Sequence, residues 1–228
     1  MEKNEEERNS IDTNNIKDET LKTAKKIKES MKETNIKEET KATKNFIVEM
    51  FKNPLEKIKQ VANDSTIKYF KISIFLIIIW TVLVFINSTY TTIYYWGFSR
   101  VISKILLVLK EILAPAIGIL VYSIIVLILN KENKKSLTTI ISTITITQLP
   151  LIIASIVSLL KIISTKVTII TSPFATLCSS IAIILGYFGM KNLFGEEGSK
   201  TFIKKYILIQ IIYYIAYVVI GLLGIYIA

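Results

Sequence analysis

Five long apolar runs fill most of the chain after its charged amino-terminal portion: Ile72 to Ser88, Ile112 to Leu129, Ser136 to Leu160, Val167 to Met190 and Tyr206 to Ala228. None shows the in-out alternation of a barrel strand, and Ile74-Phe-Leu-Ile-Ile-Ile-Trp80 is apolar on every side. A hydrocarbon layer of roughly 30 Å takes about 20 helical residues, and only helices or closed barrels satisfy the backbone within it. The pattern therefore predicts an all-α fold: a polytopic membrane helix bundle with five transmembrane helices. A Lys at a helix centre costs about 2.5 to 3.5 kcal/mol, whereas each Leu, Ile, Phe or Val contributes about −0.3 to −0.6. Lys161 and Lys166 accordingly belong at a membrane surface and divide Ser136 to Met190 into two spans. The last run carries eight Ile, three Leu and two Val, and insertion is clearly favoured.

Ahead of the spans two segments differ in pattern. Residues 1–45 form a charged cytoplasmic tail, in which Asn15-Ile-Lys-Asp-Glu-Thr20 recurs as Asn35-Ile-Lys-Glu-Glu-Thr40. Each copy places an acid three residues after an Asn, resembling a capping box. Leu21, Ala24, Ile27 and Met31 follow at helical spacing, but the stripe is thin, so the tail is expected to be partly helical or disordered. Residues 46–71 read as an amphipathic juxtamembrane region whose face is Phe46, Ile47, Met50, Phe51, Leu55, Ile58 and Val61. That face suits either the inner leaflet or packing on the domain's own loops. Asn53-Pro54 should divide it, and Asp64 or Ser65 should cap the helix entering the first span. Residues 72–228 make up the five-helix domain.

An overall hydrophobic fraction of 51% and a mean hydropathy of +0.49 over 228 residues decide little, because soluble proteins are similarly apolar. The distribution decides more, since 14 of the 18 acidic residues lie at or before Asp64. Residues 1–45 hold eleven cations and eleven acids, so the net charge of +10 arises from short segments beside the apolar runs. Placement of this kind is the positive-inside bias rather than a nucleic-acid footprint, and no nucleic-acid partner is expected. Twelve cations fall in the juxtamembrane, second and fourth connecting segments, against five in the first and third. The count places the amino terminus in the cytoplasm and Ala228 outside the cytoplasmic membrane. With about 70 residues ahead of it, the first span does not read as a cleavable signal peptide. Cys178, in the fourth run, is the single cysteine and has no disulfide partner.

Thr89 to Phe98 reads as an aromatic external loop, with Val101, Ile102, Ile105, Leu106 and Leu109 forming an interfacial helix into the second span. Lys131 to Lys135 suggests a tight cytoplasmic turn, and Gly195-Glu-Glu-Gly198 opens the last connection. Ser172-Pro173 is expected to cap the true start of the fourth span. The polar inventory within the spans is short: Gln148, Gln210, scattered Ser and Thr, Pro115 and Pro150, with Glu111 at a span edge. Without His or a buried nucleophile-base pair, the chain is expected to have no catalytic residues, no metal site, no cofactor and no enzymatic activity. Gln148-Leu149-Pro150 stands out, because Pro frees a carbonyl that a nearby Gln could satisfy, or the Gln could bridge to another span. Ala114 with Gly118, Ala154 with Ser158, and Ala182 with Gly186 mark faces for close helix approach.

The order of Asn53-Pro-Leu-Glu-Lys-Ile58, the Gln148-Leu-Pro150 within Leu137 to Leu160, and Gly186-Tyr-Phe-Gly189 resembles bacterial members of the YIP-domain family, the Ypt-interacting-protein-like membrane proteins. The resemblance runs from about Phe51 to the end. It implies five helices, a cytoplasmic amino-terminal region and a role as a non-enzymatic scaffold binding lipid or other membrane proteins, self-association included. The acidic-Leu-Tyr-Gly-Pro motif of eukaryotic members, which bind small GTPases, is absent. A small permease or channel subunit is the alternative; a polar stripe reaching both membrane surfaces would favour it. The Lys, Asn and Ile bias suggests an AT-rich bacterial source.

Overall fold

Helix boundaries fall largely where caps and prolines put them. The computed structural model describes residues 36–64, 66–96, 105–130, 135–195 and 200–226, together with Leu21 and Lys25. The helices are α1 (Ile36–Lys52), α2 (Pro54–Asn63), α3 (Ile67–Trp96), α4 (Ile105–Leu129), α5 (Leu137–Thr147), α6 (Leu149–Ser158), α7 (Thr168–Phe194) and α8 (Lys200–Tyr226). Two short 3-10 turns, Leu159–Ile162 and Thr165–Val167, join α6 to α7. Pro54 opens α2 because its missing N–H falls where a helix has no use for one. Asp64 Oδ1 accepts the Thr66 amide at 2.7 Å, an Asx turn that leads from α2 into α3. Gly195 closes α7 at φ 64°, a left-handed turn that only a residue without Cβ enters freely, and its amide bonds the Lys191 carbonyl at 3.1 Å.

Three helices are long and apolar enough to cross a membrane: Ile67–Tyr94, Thr168–Phe194 and Thr201–Ile220, with mean hydropathies of 2.4, 1.8 and 1.6. Helices α5 and α6 pass the same test as a pair bent by 45°, which makes four if that pair is one span. Helix α4 carries the apolar stretch Leu113–Leu129 among its described residues. The described residues thus give an all-helical protein with three or four apolar helices of spanning length, where the run pattern predicts five. Two boundaries also move. Thr89 to Trp96, expected as loop, continues α3, and the interfacial rings of that segment ride on the end of a long helix. Helix α7 starts at Thr168 rather than at Ser172-Pro173, since the 3-10 turn before it already points the chain and Pro173 is carried inside the helix. The expectations for residues 97–104, 131–134, 196–199 and most of the tail fall outside the described residues.

At the centre is α5, whose eleven residues are all buried although six of them, Thr138, Thr139, Ser142, Thr143, Thr145 and Thr147, carry hydroxyls. Several of these hydroxyls are satisfied within the helix: Ser142 donates to the Thr138 carbonyl at 2.8 Å, Thr143 to Thr139 at 2.9 Å and Thr147 to Ile144 at 2.7 Å. Their polar atoms are then turned back on the helix, and small side chains let neighbours come close. Helices α2, α3, α4 and α7 all pack on α5. Interhelical hydrogen bonds tie the remainder: Trp80 Nε1 donates to Ser155 Oγ at 3.2 Å, and Asn87 Nδ2 to the Ser155 carbonyl at 3.3 Å. At the opposite end of the bundle Asn130 Nδ2 bonds the Leu193 carbonyl at 3.1 Å, tying the ends of α4 and α7. Bonds of this kind average about 0.6 kcal/mol each in a membrane protein.

The juxtamembrane face splits in two at Asn53-Pro54. Phe46, Met50, Ile58 and Val61 are buried against the bundle, while Phe51 and Leu55 are 67% and 46% exposed. Helix α2 therefore lies across the ends of α5 and α7 as part of the core, and packing on the domain itself accounts for most of that face.

Candidate functional site

A hollow of about 950 Å³, open on one side, is lined by residues of α3 to α8. Each long helix contributes one face at helical spacing. Helix α4 brings Glu111, Pro115, Gly118 and Tyr122, and α8 brings Tyr206, Gln210, Tyr213 and Tyr217. Ser179, Ala182, Gly186 and Gly189 of α7 form a third wall, with Trp80 of α3 and Thr143 and Thr147 of α5 completing it. Residues three or four apart lie above one another on a helix, which is why these positions meet.

A difference in how α8 is held leaves the space open. Only 6% of its apolar window is buried, against 28% for α3 and 22% for α7. Near its start α8 is anchored to α7 by rings: Tyr187 meets Phe202 and Tyr206 edge-on, with both centroid distances 5.4 Å. Further along it leans on α4. Tyr122 and Tyr213 pack edge-to-face at 5.0 Å, Gln210 Nε2 donates to Tyr122 Oη at 2.6 Å, and a Cβ on Gly118 would stand 3.1 Å from Tyr213 Oη. With α8 drawn to α4 above the ring cluster, the cavity lies between α7 and α8.

Two polar features distinguish the lining. The break between α5 and α6 sits at Gln148, where Pro150 within the first turn of α6 removes a donor. Gln148 lines the cavity, and its side chain makes no capping bond; its carbonyl accepts from Leu151 N and Ile152 N at 2.9 and 3.3 Å, the first bonds of α6. Irregular backbone at membrane depth is tolerated where it lines a cavity or is buried in protein. The second feature is Glu111, whose carboxylate accepts a hydrogen bond from Ser88 Oγ of α3. Among the described lining residues Glu111 is charged, and there is no Lys or Arg.

The cavity does not run from end to end. Tyr206 to Tyr217 spans about 16 Å at about 1.5 Å per residue, roughly half of a hydrocarbon core. Toward the amino-terminal helices it stops near Gly189, where α2 closes the bundle: Ile58 there is 0% exposed, and its Cγ2 lies 3.7 Å from the place of a Gly189 Cβ.

A second hollow, of about 930 Å³, opens on the outer side of α1 and α2 and is lined by Glu49, Lys52, Asn53, Glu56, Lys57 and their neighbours. Lys57 forms an ion pair with Glu49 and lies 5.7 Å from the Phe46 ring centroid and 5.9 Å from that of Tyr69. The hydrogen bond and charge of Lys57 hold the Glu49 carboxyl below its ordinary value. Burial pulls Lys57 down, but the Glu49 hydrogen bond together with the charges of Tyr69 and Glu49 leaves it raised overall. With Lys57 and Glu49 paired across it, this hollow is an open seam between two helices.

Sequence reasoning singled out Gln148, and the structure places it on the cavity. The bridge expected of its side chain is not formed. Gly118 is a close-approach position as expected, and Ala154 and Ala182 are buried. Gly186 instead has nothing within 4 Å of an added Cβ; the tight contact belongs to Gly189, one turn further on. Tyr122, Tyr206, Tyr213 and Tyr217 were not singled out, although the spacing of the last three with Gln210 is a helical stripe legible in the chain. No protein-family model, curated protein or solved structure matches this sequence.

Proposed function

We propose that the chain is a five-span protein of the cytoplasmic membrane, with α4 and the bent α5–α6 pair each counted as a span, the amino terminus inside and Ala228 outside. Alternating helix directions bring Lys57, Lys59, Lys68, Lys71, Lys135, Lys191, Lys204 and Lys205 to the end of the bundle that α1 and α2 cover. That clustering supports the cytoplasmic assignment of this end. On this reading the protein is a non-enzymatic, membrane-organising component, consistent with the resemblance to the YIP-domain family. It works by holding an apolar guest, a lipid or part of another membrane protein, inside the bilayer.

The observation that carries the reading is the half-depth cavity beside the loosely held α8. A blind hollow about 16 Å long, walled mostly by apolar side chains, accommodates a guest but gives no path across. A photo-crosslinking residue in place of Ile183, on the cavity wall, should capture a lipid or membrane-protein segment in native membranes, while liposomes of the pure protein stay tight to solutes. Solute flux without any crosslink would remove this reading. It would favour the second one, a small permease, which the broken span at Gln148 supports because discontinuous helices build binding sites at the midplane of transporters.

A further inference from the structure

We propose that the cavity selects a lipophilic cation, an ammonium or similar positive centre carried on an apolar body. The inference rests on the reading of the cavity as the place of a bilayer guest, and goes further by giving that guest a charge. Three observations converge. The volume of about 950 Å³ is that of a site for a molecule of drug or lipid-headgroup size. Its lining includes the rings of Trp80, Tyr122, Tyr213 and Tyr217, and aromatic rings attract cations, most strongly where water is excluded. The charge among the described lining residues is a carboxylate, Glu111, held from α3 by Ser88, with no cationic side chain there to neutralise an anionic guest. An anion entering the same space would meet the carboxylate and find no cationic partner among the described lining residues to offset its lost hydration. Gln148, whose amide has no capping bond, offers a neutral hydrogen-bonding group further in.

The test uses two ions of the same shape and opposite charge on the full chain in phosphatidylcholine nanodiscs. Trp80 and Trp96 are the two tryptophans, so Trp96→Phe leaves Trp80, on the cavity wall, as the fluorescent reporter. After subtraction of partitioning into empty nanodiscs, tetraphenylphosphonium should quench Trp80 saturably and bind at least about tenfold tighter than tetraphenylborate. Glu111→Gln should erase most of that preference, and Tyr217→Leu should weaken phosphonium binding about threefold. The comparison of the two ions on otherwise unaltered protein stands even if a variant fails to fold. Equal binding of the two ions would overturn charge selection while leaving the cavity as a site for apolar guests. No saturable quenching by either would also overturn it, and the Ile183 crosslink then reports separately on whether a guest is held. Competition by phosphatidylethanolamine would assign the ammonium to a lipid headgroup, and indifference to that lipid would assign it to a free amphipathic cation; either result upholds selection of positive charge.

Discussion

Replacing Gly189 by Ala tests the tightest contact in the bundle. A Cβ at that position would stand 2.8 Å from Thr147 Cγ2 and 3.2 Å from Thr143 Cγ2, both methyls on the fully buried α5. Neither methyl can swing aside easily, because β-branched side chains in a helix are confined at χ1 and the Thr147 hydroxyl is held by the Ile144 carbonyl at 2.7 Å. Overpacking of this sort costs about 1 to 3 kcal/mol. Gly→Ala also brings a gain in helix propensity of up to about 1 kcal/mol, which would mask part of the loss. Gly186 supplies the control: it lies on the same helix with nothing within 4 Å of an added Cβ, so the propensity gain is common to both variants. The difference between Gly186→Ala and Gly189→Ala in a reversible unfolding titration in mixed micelles should therefore be about 1 to 3 kcal/mol, with Gly189→Ala the less stable. Adding Thr147→Ser, which deletes the clashing methyl and keeps the hydroxyl, should recover much of the loss in Gly189→Ala while costing stability alone. Equal stabilities for the two alanine variants, or strict additivity of the double variant, would refute the close approach of α7 to α5.

Thr145 is fully buried and its hydroxyl has no partner among the described residues, so Thr145→Val should leave the unfolding free energy unchanged or raise it by up to about 1 kcal/mol in the same titration. Tyr122→Phe removes the acceptor of Gln210 and should cost about 0.6 kcal/mol, at most about 1.7, read as a double-mutant cycle with Gln210→Leu. The Glu49 carboxyl, held below its ordinary value by Lys57, contributes stability that is present above that ordinary value and lost as pH falls through the lower folded one. Unfolding of the α1–α2 pair, followed by hydrogen exchange, should thus become easier toward acid pH, and Glu49→Gln should flatten that dependence. The raised Lys57 acts in the opposite sense, adding stability that persists below about its ordinary value of 10.5 and disappears at more alkaline pH.

Much of the helical architecture was legible because its punctuation is local. Asn53-Pro54, Asp64, the Gln148-Leu149-Pro150 break and Gly195 each act on their own neighbours, and each falls at a helix boundary or bend. Helix starts were less legible, since hydropathy runs say nothing of where a helix begins: α4 starts at Ile105, ahead of the run from Ile112, and α3 carries Thr89 to Trp96 as an extension. The fate of the Phe46 to Val61 face depended on a tertiary choice between lipid and protein, which periodicity cannot make; the kink at Pro54 let half of it enter the core. The cavity was hidden for the same reason. Its tyrosines read one by one as interface or packing residues, and only the leaning of α8 on α4 gathers them opposite Gly186 and Ser179. Glu111 reads in the sequence as a span-edge acid, and its contact with Ser88 of α3 and its place in the cavity lining are tertiary facts that the sequence does not carry.

The account depends on an odd number of crossings that places the two chain ends on opposite sides of the membrane. Thiol labelling measures this directly once the native thiol is removed with Cys178→Ser, because the chain has no other cysteine. In that background Ser10→Cys and Ala228→Cys can be probed separately with a membrane-impermeant maleimide on intact spheroplasts and after permeabilisation. Reaction of the Ala228→Cys protein in intact spheroplasts, with the Ser10→Cys protein reacting only after permeabilisation, is the predicted result. Both thiols reacting from the same side would contradict the five-span arrangement, and with it the placement of α1 and α2 at a cytoplasmic end.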